Sequence, residues 1–134
     1  MCLYSRQRRL KLSRKEIVCY KIFKVIDGDK VFTPYRYMFI TGEQFYNKTP
    51  IKANEKIKCG SLGLYYLYDI GLIHAYLDLD TAKFRISSPT ISLDRNCEFI
   101  ICKCHIPKYT RHVYGLDREI AAKKIIIDEI IENE

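Results

Sequence analysis

The chain has no tryptophan, only two methionines and four prolines, and six glycines in 134 residues. So little proline and glycine excludes collagen-like, Pro-rich and Gly/Ser-linker architectures. No apolar run reaches the length of a membrane helix, about twenty residues. The longest, from Gly60 to Leu77, is interrupted by Asp69 and His74 and contains Gly63 and Gly71. No apolar h-region follows Arg14 and Lys15, and residue 2 is Cys2 rather than the glycine of a myristoylation signal. The expectation is a protein without a membrane span, in the cytoplasm of its own cell or of a host cell. Also missing are a Gly-rich phosphate loop of Walker or Rossmann type and a Gly-x-Ser-x-Gly elbow. No cofactor, no metal and no catalytic residue are expected.

Acid is the most unevenly missing component. Residues 1–15 hold Arg6, Arg8, Arg9, Lys11, Arg14 and Lys15 and no carboxylate, so six of the seven net positive charges lie there. The expected organisation is a basic N-terminal arm, 1–15, and one domain, 16–134. Such an arm suits an anionic partner, nucleic acid included. It is equally explained as a solvated tail or as an edge strand protected by charge. The apolar share of 48% is too high for a disordered chain.

What is present is strand-forming. Residues 17–26 are β-branched and aromatic and end at Asp27-Gly28-Asp29, a hairpin signal returning through Lys30 to Phe32. Residues 35–40 read as the next strand, and 41–60 as a long loop with one short strand at most. Residues 62–77 give one or two strands broken at 69–71. A short helix follows from Asp78, with Asp78 or Asp80 as N-cap. Residues 97–106 and 111–114 are strands around a turn at Pro107. Residues 117–123 read as a helical turn. Residues 124–131 carry three consecutive isoleucines and favour a final strand, although a helix fits so short a run. The fold class expected is α+β: a single β-rich domain, mostly antiparallel, with one or two short helices.

Three groups of residues are candidates for chemistry. The string Ile70-Gly-Leu-Ile-His-Ala-Tyr76 places His74 and Tyr76 beside a glycine backbone that a ligand can approach. A histidine satisfied within the core explains the same string. Tyr35, Arg36 and Tyr37, with Lys108, Tyr109, Arg111 and His112, interleave rings with cations, as surfaces that stack bases and pair phosphates do. Ordinary strand patterning also produces that interleaving. Cys97, Cys102, Cys104 and His105 suggest zinc, but on one strand Cys102 and Cys104 face one side and His105 the other, so buried thiols are the better reading.

Gly71 to Ala82 resembles the glycine–strand–helix element of ADP-ribosyltransferase-like folds, and Glu119-Ile-Ala-Ala resembles the later glutamate of that group. That resemblance implies an NAD-using enzyme. The group's early Arg or His has no counterpart in 17–26, and there is no Ser-Thr-Ser string. More broadly, Val18-Cys-Tyr-Lys, Thr33-Pro-Tyr, Gly71-Leu-Ile-His-Ala-Tyr, Ile106-Pro-Lys-Tyr-Thr and Glu119-Ile-Ala-Ala-Lys-Lys-Ile are similar to a family of small bacterial and phage proteins. That resemblance implies a mobile-element or commensal origin and carries no activity.

The leading expectation is a non-enzymatic module binding a small anionic, nucleotide-like ligand, of use to a phage in sequestering a host signalling nucleotide as counter-defence. The alternatives are a degenerate ADP-ribosyltransferase-like enzyme and a protein–protein inhibitor of a host factor. A homo-oligomer is compatible with the first.

Overall fold

The computed structural model describes residues 3–26, 30–33, 36–41, 50–53, 57, 59–68, 71–87 and 98–131. Among the described residues, thirteen strands and one helix run in the order β1 (Leu3–Ser5), β2 (Lys11–Leu12), β3 (Ile17–Ile26), β4 (Lys30–Thr33), β5 (Arg36–Thr41), β6 (Pro50–Lys52), β7 (Cys59–Leu62), β8 (Tyr65–Tyr68), β9 (Ile73–Tyr76), α1 (Leu79–Ile86), β10 (Glu98–Ile106), β11 (Arg111–Tyr114), β12 (Glu119–Ala122) and β13 (Lys124–Ile131). The described pairings are all antiparallel. The fold is a β-rich α+β domain, as expected.

The large sheet runs β2-β11-β12-β9-β3-β10-β13-β6, with the β4–β5 hairpin attached to β3. Only Lys123 separates β12 from β13, so the path β12-β9-β3-β10-β13 returns to the segment it left. The sheet therefore closes on itself around a small barrel. A register shift between Lys103 and Cys104 in the β10–β13 ladder supplies the local bend such closure needs. β11 and β6 both attach at the corner. Lys123 N–H donates to the Arg111 carbonyl at 3.0 Å, and Ala53 N–H donates to the Lys123 carbonyl at 2.9 Å.

Alternation along each strand fills the barrel. Cys19 and Phe23 of β3, Ile73 and Ala75 of β9, Cys102, Cys104 and Ile106 of β10, and Ile120, Ala122, Ile125 and Ile127 of the kinked strand form one buried cluster. The opposite face of β3 and β10, carrying Ile22 and Ile101, is covered by α1 through Ala82, with Tyr76 in the same cluster. Because α1 covers part of the outer face, apolar residues stand on both faces of these strands, Cys19 and Phe23 on one side of β3 and Ile22 on the other. A second layer, β1-β8-β7, closes over the β11–β12 hairpin with Leu3, Tyr68, Leu72, Val113 and Ala121. Gly115 is required there: a Cβ would meet Leu3 Cδ1 at 2.8 Å and Glu119 Cβ at 2.9 Å.

Two expectations are corrected. Residues 119–122 form strand β12, not part of a helical turn. Ile120 and Ala122 close the barrel interior, and that burial outweighs the helix preference of Glu-Ile-Ala-Ala. Residues 41–60 contain β6 and the start of β7, two strands rather than one. The open choice at 124–131 resolves as strand. Asp78 is the N-cap of α1, its carboxylate accepting from Thr81 N–H at 2.7 Å. Asp27, Gly28, Asp29, Tyr35 and Cys97 lie outside the described residues.

Candidate functional site

Cations and exposed rings meet where the N-terminal segment crosses the β10–β11 turn. Ser13 fastens the two together. Its hydroxyl donates to the Pro107 carbonyl at 2.7 Å and accepts from Thr110 N–H at 2.9 Å. Its main chain exchanges bonds with Thr110 (3.0 Å) and Tyr109 (2.7 Å). Ser13 and Thr110 are both buried, so these bonds form away from water, where an unmade one would be costly. Upstream, Leu3 is buried against Val113, and Ser5 Oγ donates to the Tyr114 carbonyl. The basic segment is thus held along its length, with β1 and β2 as strands of two different sheets.

The clamp presents Tyr109 outward. It is 73% exposed and has φ of 63°, a left-handed conformation that costs a residue with a Cβ about 1 kcal/mol. Its ring borders a cleft of about 530 Å³ shared with Lys11, Leu12 and Arg14. Lys108 and Arg111 are exposed beside it, Arg111 in register with Leu12. Neither 3–15 nor 107–114 contains an acid, and among the described residues no carboxylate pairs with Lys11 or Arg14. The cleft therefore carries an uncompensated positive field beside an accessible aromatic face.

The residues singled out from sequence divide accordingly. Lys108, Tyr109 and Arg111 come together, and Lys11, Leu12 and Arg14 join them. His112 lies beneath: it is buried, its Nδ1 is 3.3 Å from the Thr110 carbonyl, and its ring meets Tyr114 edge-on at 5.3 Å. His74 sits on β9 in register with Ala121, two strands from β11. Tyr76 is buried against the α1 layer. Neither His74 nor Tyr76 reaches the cleft. Arg36 and Tyr37 belong to β5, and their side chains, like Tyr35, lie outside the described residues.

A second depression of about 490 Å³ lies over α1, lined by Asp80, Thr81, Phe84, Arg85, Asp117 and Arg118. Its cations are already engaged. Arg118 pairs with Asp78 at 2.7 Å, and Arg85 with Glu119 at 3.4 Å and Asp117 at 3.9 Å. The Thr81 hydrogen bonds and then Arg118 hold the Asp78 carboxyl down at about 2. Burial pushes Glu119 up, against the opposing pull of Arg85. This balanced site has no field left for an anion.

Two constellations went unnoticed in the sequence. His105 Nδ1 lies 2.8 Å from Asp128 Oδ2, with Glu16 at 3.9 Å from Nε2, a tie that joins β10 to β13 and to the residue preceding β3. Lys21 lies inside the barrel, 5% exposed, donating to the His74 carbonyl at 2.6 Å with its ammonium 5.8 Å from the Phe23 ring centre. Burial lowers its amine to about 8. Burial likewise raises Cys19 and Cys102 to about 12 and Cys104 well above its ordinary value, so these thiols stay protonated and make poor nucleophiles and metal ligands at neutral pH. His105 points away from them, on the other face of β10. Within the described residues no helix is long and apolar enough to cross a membrane. Comparisons with protein-family models, with curated proteins and with solved structures give no match.

Proposed function

We propose that the protein is a binding module for an anionic, ring-bearing ligand of the nucleotide type, seated in the cleft of Lys11, Leu12, Arg14 and Tyr109. The observation that carries this reading is Tyr109: an exposed ring held in a costly backbone conformation between unpaired cations. Strain of that kind persists where surrounding structure enforces it, and here the Ser13 clamp does so. The tyrosine face stacks on a base, Arg14 and Lys11 meet phosphate, and Leu12 covers the sugar or ring edge. On this reading the ligand is held and released unchanged, since the described lining of Lys11, Leu12, Arg14 and Tyr109 offers phosphate and ring contacts. In a phage setting a module of this kind would sequester a host nucleotide signal.

Calorimetric titration against nucleoside mono-, di- and triphosphates tests the reading. Binding should strengthen with phosphate number and weaken with salt. Tyr109→Gly and Arg14→Glu should each reduce it about tenfold or more, with ligand recovered intact. Lack of binding by every nucleotide, or binding indifferent to both variants, rejects the site.

A further inference from the structure

The cations do not stop at the cleft. Arg111 is joined to the β12–β13 corner through its carbonyl, which accepts from Lys123 N–H. Lys124 follows at the start of β13, and Lys52 of β6 stands directly opposite it in register. Lys11, Arg14, Lys15, Lys108, Arg111 and Lys52 are exposed, and Lys124 is half-buried. From β2 to the corner this strip crosses two strand spacings, about 10 Å, and then turns along β6. The contributing segments 6–15, 107–114, 123–127 and 50–53 contain no acid.

The Lys52–Lys124 pair is informative in itself. Like charges directly opposite on neighbouring strands destabilise a sheet, and a Lys–Glu pair at the same place would stabilise it. A cross-strand pair of cations at a sheet edge is the arrangement expected where a bound anion supplies the missing charge. Among the described residues the strip's apolar neighbours are Leu12 and Tyr109 at one end and Pro50 with Ile126 beside the lysine pair, too little for insertion into a bilayer. A duplex keeps its bases stacked and offers Tyr109 no face, whereas a single strand offers both a free base and a run of phosphates.

We infer that the strip from Arg14 and Tyr109 through Arg111 to Lys124 and Lys52 is a track for single-stranded nucleic acid, the first base stacking on Tyr109 and the following phosphates passing along the lysines. This rests on the nucleotide reading of the cleft and extends it from a single nucleotide to a chain.

Fluorescence anisotropy of labelled dT12 on the full-length protein, beside calorimetry with dTMP, tests the inference. dT12 should bind at least tenfold more tightly than dTMP, with a log–log salt slope steeper by about 0.7 for each added phosphate contact. Lys124→Glu should weaken dT12 roughly tenfold and leave dTMP unchanged, while raising the melting temperature by placing opposite charges on the Lys52 pair. Tyr109→Gly should weaken both ligands, and Lys83→Glu on the far side of α1 neither. If dT12 binds no better than dTMP, or Lys124→Glu leaves its affinity intact, the track is overturned and the nucleotide cleft stands. If neither ligand binds, both readings fall. Tighter binding of a 12-bp duplex, or of phosphatidylglycerol vesicles in place of dT12, overturns the single-strand occupant.

Discussion

At the scale of single residues, Tyr109 and Lys21 both hold conformations or environments that stability alone disfavours. Glycine adopts a φ of 63° freely, so Tyr109→Gly relieves the left-handed strain while removing the ring. Thermal or denaturant unfolding should show equal or greater stability, by up to about 1 kcal/mol, in a protein that has lost ligand affinity. A marked loss of stability would mean that the ring packs rather than binds. Lys21 carries its charge inside the barrel. Below about pH 8 the amine is protonated in both folded and unfolded chains, and the folded state bears the full cost of the buried charge. Between about 8 and the ordinary 10.5 the unfolded chain keeps the proton that the folded chain has lost, so stability from this group rises with pH through that window. The shift corresponds to about 3 kcal/mol, and the bond to the His74 carbonyl returns about 1 kcal/mol. Lys21→Met should therefore stabilise the protein at pH 7 by about 1–2 kcal/mol and flatten its stability between pH 8 and 10. Urea unfolding at pH 7 and 9 measures both. Neither property was legible in the sequence. Lys21 reads as an ordinary polar position in an apolar strand, and only closure of the barrel shows that both faces of β3 are covered.

At the scale of elements, most strands announced themselves and their partners did not. The β-branched runs at 17–26 and 98–106, the turn at Pro107 and the Asp78 cap follow from local chemistry. The short strands β1, β2, β6 and β7 do not, and β12 reads locally as something else. Its Glu-Ile-Ala-Ala sequence favours a helix locally, and pairing with β9 and β11 on its two edges overrides that preference. The cleft beside Tyr109 depends on a similarly non-local contact. Ser13 and Thr110 are 97 positions apart, and nothing in either segment marks the other. Ser13→Ala would leave the Pro107 carbonyl and the Thr110 N–H short of a partner in a buried place. It should cost about 1–3 kcal/mol and loosen the Tyr109 turn. Faster amide exchange at 108–111, with weaker nucleotide binding, is the expected reading. Unchanged exchange there would show that the main-chain bonds alone hold the turn.

At the scale of the molecule, the charge asymmetry visible in the sequence acquires a shape. The basic segment is a built part of the fold, contributing β1 to one sheet and β2 to the edge of the other, with Leu3 fully buried. Edge placement agrees with the use of lysine and arginine to keep a free strand from pairing further. The segment's charges also complete the strip of cations contributed by β11, β6 and the β12–β13 corner. Deleting residues 1–15 should lower the melting temperature substantially, because it uncovers Val113 and Ala121 and releases the 107–110 turn. Full retention of stability would show that the segment is an appendage after all. Of the residues marked from sequence, Tyr109 lines the cleft, and Lys108 and Arg111 are exposed beside it. His74 and Tyr76 do not reach it, because β9 lies inside the closed ring, where alternate positions are taken up by core and by the α1 layer.

The most direct measurement is a two-dimensional amide spectrum of the labelled protein titrated with ATP. Saturable shifts are expected at 11–14 and 107–111, fading toward 123–124, with the amides of 73–76 and 79–86 unmoved. Shifts concentrated on α1 and the 115–118 turn, or no shifts at millimolar ATP, would contradict the nucleotide reading of the cleft.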